Sequence, residues 1–348
     1  MTRSEIIRLL EPSDEAATTE LFRHAREVKE RFFGTRVYLR GLLELSNSCA
    51  KDCFYCGIRR GNFGVHRYRI PAAEAVRMAQ FAIEKRYGSI VLQSGEIESE
   101  ENTRYIETII HGIREAAGPQ FGITLCLGEQ TPEVYGRWLE AGANRYLLRI
   151  ETSSPNLYRR IHPLDCDFHR RVGCLRLLRE LGYEVGSGVL IGLPGQTIEH
   201  LADDLIFLKE TGVHMVGMGP FIPHHQTPMG LEPEPPELGL ARFRLTLKMI
   251  AVLRLLLPRI NIAATTALQA LVEDGREQGL QVGANVLMPS ITDTRYRDYY
   301  RLYENKPCVD EHSEKCLLCL QGRVQSIGSE IAWGERGNSR EFEQTAGI

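Results

Sequence analysis

From Gly34 onward the chain alternates short β-rich apolar runs with longer stretches whose apolar residues recur every three or four positions. Short runs rich in branched residues mark strands, and the recurrence near 3.6 marks helices. The pattern predicts strands at Leu42–Leu45, Ser89–Gln93, Gly122–Leu127, Tyr146–Ile150, Val185–Ile191, Met215–Met218, Asn261–Ala264 and Gln281–Leu287. Helices are predicted between them, over 71–87, 102–117, 132–141, 168–181, 197–211, 239–257 and 266–273. A further helical segment starts near Tyr296, and a capped amphipathic helix over 13–33 precedes the repeat.

Strands that alternate with helices pair in parallel through right-handed crossovers. Eight such units in 348 residues fit an α/β protein of the (β/α)8 TIM-barrel type better than an open doubly wound sheet. The expected organisation is an N-terminal helical extension over 1–34, a barrel over 35–303 and a cysteine-bearing C-terminal extension over 304–348. The proline-rich stretch Glu232–Pro236 reads as a short turn inside the sixth unit. Functional groups in such barrels gather where strands end, so each strand end is a place to look for chemistry.

Composition narrows the classes. Lys and Arg total 42 against 45 Asp and Glu, a net charge of −3, which leaves no basic footprint for nucleic acid. No apolar run approaches the roughly 18–20 residues of a membrane helix, and no signal peptide is visible. The expected compartment is the cytoplasm, where thiols stay reduced, so the nine cysteines are not expected to form disulfides. Six of them fall in two tight groups.

The first group, Cys49-Ala-Lys-Asp-Cys53-Phe-Tyr-Cys56-Gly57, follows the first strand. Its spacing would also suit a buried helical stripe, but Ser46-Asn47-Ser48 before it and Gly57 after it are loop chemistry. Three thiolates and a fourth ligand could hold zinc, although zinc sites usually join two cysteine pairs and no second pair lies nearby in sequence. Three thiolates on a short loop also suit three irons of a [4Fe-4S] cluster, with one iron left open. The Cys-x3-Cys-x2-Cys spacing resembles that of the radical S-adenosylmethionine (SAM) superfamily. That resemblance implies that the open iron chelates SAM and that one electron cleaves it to methionine and a 5′-deoxyadenosyl radical. Tyr55 would then lie against the adenine.

The other strand ends carry further candidates. Gln93-Ser94-Gly95-Glu96 stands where superfamily members bind the SAM amino group. Thr124 and Cys126 share one face of the third strand, either as barrel filler or as part of the site. Arg149 and Glu151 share a face of the fourth, as an internal ion pair or as anion and ribose ligands. Gly192–Thr197 reads as a tight turn with Thr197 capping the next helix, and His224-His225 as a solvated loop. In the second group, Cys316-Leu-Leu-Cys319 could be a redox pair, though no thioredoxin-like pattern surrounds it, and Cys308, Cys316 and Cys319 together could be a zinc site completed by His312 or an auxiliary [2Fe-2S] or [4Fe-4S] cluster.

Longer strings are more specific. Asn47–Arg60, Arg67-Tyr-Arg69, Val91–Glu96, Arg145–Arg149, Gly192–Thr197, Val216–His224, Ala263–Ala267 and Gly283–Val286 resemble the HydE family of [FeFe]-hydrogenase maturases, over about residues 34–320. The C-terminal cysteine trio is similar to an auxiliary-cluster motif that some members keep. The resemblance implies assembly of the diiron subcluster from an organometallic Fe–CO–CN–cysteine species, with a reducing electron donor and other hydrogenase maturation proteins as partners. It places Gln93, Ser94, Gly95, Thr124, Cys126, Glu151 and Arg171 at SAM or active-site positions. It puts Arg149, Met215, Thr265, Thr266, Met288 and Tyr300 along the barrel cavity. Two departures stand out: Cys126 replaces a small hydroxyl residue, and His225-Gln226 interrupts the loop after strand six. A stretch at Leu164–His169 also reads as an insertion ahead of Arg171. Biotin-synthase-like sulfur insertion, a methylornithine-synthase-like mutase and a non-catalytic iron–sulfur scaffold are the rival readings.

Overall fold

The first long strand, β1 (Arg36–Ser46), is buried along nearly its whole length. That is expected of a strand covered on both faces in a parallel sheet. It is followed by β2 (Ser89–Ser94), β3 (Gly122–Cys126), β4 (Arg145–Leu147), β5 (Glu184–Ser187), β6 (Leu190–Ile191), β7 (Met215–Val216), β8 (Gly219–Pro220), β9 (Asn261–Ile262), β10 (Val286–Leu287) and β11 (Glu330–Ile331). This computed structural model describes residues 1–232, 234–310 and 312–347; Pro233, in the expected Glu232–Pro236 turn, lies outside them.

The strands run in the order β10-β1-β2-β3-β4-β5-β7-β9, all parallel. A parallel Ala263–Val286 bridge, with Ala264 N–H donating to Val286 O at 3.0 Å, joins β9 to β10 and closes the ring. The expected (β/α)8 architecture is therefore present. Strands β6 and β8 pair with each other beyond β5 and β7. The predicted single strand Val185–Ile191 breaks at Gly188, where a Cβ would lie 2.0 Å from Gly217 O, so two backbones touch there. Leu43, Leu45, Ile90, Leu92, Ile123, Leu125, Val185 and Ile262 are fully or almost fully buried in the main apolar core.

Several elements differ from the pattern reading. Gln281–Leu287 is not one strand: the helix Gly275–Gln281 ends at its first residue, and only Val286–Leu287 pairs. The helices Arg3–Leu10, Pro155–Ile161 and Arg340–Ala346 and the strand β11 carry too little periodicity to stand out. The segment from Tyr296 resolves into Thr294–Arg297 and Ser313–Ser326.

The base of the barrel is filled by residues 336–339. Arg145 and Glu184 form a fully buried pair. Arg145 donates to Arg336 O and Asn338 Oδ1, and Ser339 N–H donates to Glu184 Oε1 at 2.8 Å. Arg40 and Asn261 both donate to Gly337 O. Buried charges tolerate their lost hydration only when paired and hydrogen-bonded in this way.

Candidate active site at the barrel mouth

Beyond β1 the chain enters the cysteine loop, which is braced before any cofactor is considered. Asn47 donates to His66 O and Tyr299 O and accepts from Tyr68 N–H. Arg67 reaches four carbonyls at once: Asn47 at 2.6 Å, Ile58 at 2.8 Å, Arg59 at 2.6 Å and Asn62 at 3.0 Å. A guanidinium suits this task because its donors fan out in a fixed plane. The loop then lies against the end of β2, where Ala50 N–H donates to Glu96 O at 2.8 Å. Gly95 is required at that crossing, since a Cβ there would sit 2.1 Å from Ser48 O and 2.8 Å from Cys49 Cβ.

Cys49, Cys53 and Cys56 are free, half-buried thiols on this loop. Glu96 N–H points at Cys49 Sγ from 3.3 Å. Burial pushes the Cys49 thiol up and the Cys56 thiol up to about 12, so bound iron would have to displace these protons. Among the described residues, neither cysteine trio gathers within the 4.8 Å that would let its ligand atoms share a single ion. A multi-iron cluster spreads its ligands further apart than one ion does, and the loop fits such a group. It carries three thiols beside the strand ends, and a backbone donor of the kind that tunes cluster sulfurs is already aimed at one of them.

The other strand-end candidates surround this loop. Thr124 Oγ1 is buried without a hydrogen-bond partner. Cys126 is near enough to Arg149, Arg171 and Glu151 to feel their charges, though burial dominates and pushes its thiol up to about 11. Arg149 grips Glu151 through two 2.8 Å bonds and also donates to Val189 O and Gly217 O. The ion pair left open by the sequence is thus formed. Glu151 adopts φ = 63°, a left-handed conformation that a non-glycine residue holds only under constraint. Ser94 Oγ donates to Gly95 O, and Gln93 donates to the Tyr300 hydroxyl at 3.2 Å. Tyr55 packs edge-on to His162, with ring centroids 5.5 Å apart.

The expected cavity residues lie at different depths. Met215 lies low in the barrel: its sulfur accepts from Arg40, whose other nitrogen reaches Gly337 at the base. Met288 packs with Tyr38, Ala263 and Val286. Thr265 donates to Met218 O at 3.0 Å, and Thr266 begins the helix after β9. The expectation of a solvated His224-His225 loop holds for His225 alone. His224 is buried against Gly57, its Nδ1 accepts from Gln226 N–H, and Glu304 binds His225. These groups do form a set close enough for one ion, but with the two rings only 13° from parallel.

Four charged residues form a cage that the sequence reading did not single out as a unit. Lys51 contacts Glu96 at 3.1 Å and Glu129 at 3.2 Å, and Arg171 contacts the same two carboxylates at 3.0 and 3.1 Å. Arg171 also donates Nε to Arg149 O. Lys51 and Glu129 are 78 positions apart, and no local spacing links them. In the C-terminal segment, Cys308 adopts φ = 62° and lies beside the buried Cys316, while Cys319 is exposed on the same helix. His312, the expected alternative zinc ligand, is an exposed residue at the start of that helix.

A closed parallel (β/α)8 barrel with a Cys-x3-Cys-x2-Cys loop after its first strand defines a radical SAM enzyme, and residues 43–208 match the radical SAM superfamily. The chain is 44% identical over 345 residues to the [FeFe] hydrogenase maturase subunit HydE of Thermotoga maritima, covering 98% of this chain and 95% of that protein. It therefore belongs to the HydE family of radical SAM maturases. Among solved structures it is similar to methylornithine synthase (PylB), with TM-score 0.83 at 24% identity, covering all of this chain and 96% of the other. It is also similar to the FeFe-hydrogenase maturase HydG from Carboxydothermus hydrogenoformans, with TM-score 0.80 at 25% identity over 96% of this chain and 76% of that one. No helix among the described residues is long and apolar enough to cross a membrane.

Proposed function

We propose that this maturase cleaves SAM reductively and uses the resulting radical to process an organometallic Fe–CO–CN–cysteine species on the way to the diiron subcluster of [FeFe]-hydrogenase. The observation that carries the reading is the cysteine loop, docked on β2 with Glu96 N–H aimed at Cys49 Sγ, in a chain that matches a HydE protein along nearly its whole length. When bound, a [4Fe-4S] cluster and SAM supply the electron transfer and the 5′-deoxyadenosyl radical.

The chain's own residues bind and orient. Cys49, Cys53 and Cys56 hold the cluster. Gln93, Ser94 and Gly95 present backbone and side-chain acceptors to the SAM amino group. Thr124, with its hydroxyl unpartnered, and Cys126 line the wall beside it. Glu151, held by Arg149, takes the ribose hydroxyls, and Tyr55 packs on the adenine. Arg171, held by the two carboxylates and by Arg149 O, takes the SAM carboxylate. Deeper in the barrel, Arg149, Thr265, Thr266, Met288 and Tyr300 meet an anionic substrate that also carries apolar ligands; Met215 supports this cavity from below. Cys308, Cys316 and Cys319 hold the auxiliary [2Fe-2S] or [4Fe-4S] cluster. The protein works in the cytoplasm with a low-potential electron donor and other maturation proteins, and needs neither nucleic acid nor membrane.

The decisive experiment is maturation of apo-hydrogenase in a mixture lacking only HydE. Hydrogenase activity restored by this protein supports the reading. A protein that cleaves SAM but restores no activity, and instead turns over dethiobiotin or lysine, overturns the substrate assignment.

A further inference from the structure

We propose that Lys51, Glu96, Glu129 and Arg171 form a charge cage that sets the reduction potential of the cluster, with Lys51 and Glu129 as positioning residues of opposite sign. The proposal rests on the reading of the cysteine loop as the cluster site. Each cation touches both anions, at 3.0–3.2 Å, so the four groups close into an alternating ring. Their side chains are 2–17% exposed, which leaves the charges little screening by water.

The ring is tied to the cluster loop at two points. Lys51 lies within the loop, between Cys49 and Cys53. Glu96 supplies the N–H aimed at Cys49 Sγ and the carbonyl that accepts from Ala50. The other corners come from the end of β3 and the helix Phe168–Glu180, so one ring fixes the loop against three separate parts of the barrel.

A reduced cluster carries one more negative charge than an oxidised one. A buried cation nearby favours reduction, and a buried anion opposes it. In the intact ring each buried cation is set against both anions, and the half-exposed Arg170 adds a contact to Glu129 at 3.3 Å. Removing Lys51 leaves an excess negative charge beside Cys49, and removing the charge of Glu129 leaves an excess positive one. A purely structural role for these residues gives no reason for shifts of opposite sign.

The test is an EPR-monitored redox titration of the reconstituted enzyme, with iron and sulfide content measured alongside. Lys51→Met is expected to move the cluster midpoint to a more negative value and Glu129→Gln to a less negative one. The double variant is expected to return toward wild type, and Lys51→Arg to stay near it. Unmoved midpoints, or shifts of the same sign in both single variants, overturn the proposal. Should Lys51→Met fail to hold a cluster, recovery of iron in the Lys51→Met/Glu129→Gln double variant supports the cage, and continued failure overturns it. Wild-type protein that takes up no cluster defeats the cofactor reading as well, whereas a full cluster with an unmoved potential defeats the cage alone.

Discussion

The two cysteine groups contain the same residue three times each, yet their surroundings differ. Around Cys49, Cys53 and Cys56, Arg67, Asn47, Gly95 and the charge cage hold the backbone from several sides. Around Cys308, Cys316 and Cys319, a brace among the described residues is Arg297. Arg297 donates to Cys308 O at 3.0 Å, to Ser290 O and to Ser313 Oγ. The remaining order comes from the helix that carries two of the cysteines, one turned inward and one outward. Cysteine count alone would rank the groups as equals; the hydrogen-bonded surroundings do not. The first loop is preorganised for a ligand, whereas holding one at the second would require the exposed Cys319 thiol to join the half-buried Cys308 and the buried Cys316.

That contrast can be broken or sharpened by experiment. The largest effect is expected from Cys53→Ala, which should abolish both cluster uptake and 5′-deoxyadenosine production, measured by iron assay and chromatography after dithionite reduction. Residual cleavage at the wild-type rate would show that the first loop is not the reactive one. Next, Arg67→Ala should lower stability by about 2–3 kcal/mol in urea unfolding, because a charged donor to several carbonyls is lost at once. Cys308→Ser together with Cys316→Ser should remove the second group's iron yet leave SAM cleavage within about twofold of wild type, a change of under 0.5 kcal/mol in barrier. A collapse of cleavage in that variant would mean that the two regions are not separable. Smallest of all, Cys319→Ser should change the unfolding free energy by no more than about 0.5 kcal/mol, against about 1–2 kcal/mol for the buried Cys316→Ser.

Much of this was legible in the sequence because it is written locally. The eight β/α units follow from periodicity, and Thr197 caps the helix Ile198–Thr211 as its turn chemistry suggests. The cysteine loop, and the shared face of Arg149 and Glu151, follow from spacing of a few residues. What was missed depends on partners far away in the chain. Lys51 reads as an ordinary loop cation until the fold brings Glu96 and Glu129 to it. Met215 sits on an inward-facing strand position, but only Arg40 and Gly337 reveal that its layer belongs to the base. His224 looks like half of a polar pair, although the cysteine loop and Glu304 bury it and leave its neighbour outside. Short helices such as Pro155–Ile161 are too brief for a repeat to show.

The filled base of the barrel also constrains the order in which the protein can be made. Arg145 and Glu184 emerge during synthesis long before the groups that complete their bonding: Asn338 lies 193 positions beyond Arg145, and Ser339 lies 155 beyond Glu184. A nascent chain that has already laid down every strand of the ring still carries two buried charges with unfinished hydrogen bonds. On the ribosome, the barrel therefore waits for residues 336–339, and a chain stopped just before Arg336 would lack the floor while keeping every cysteine in place.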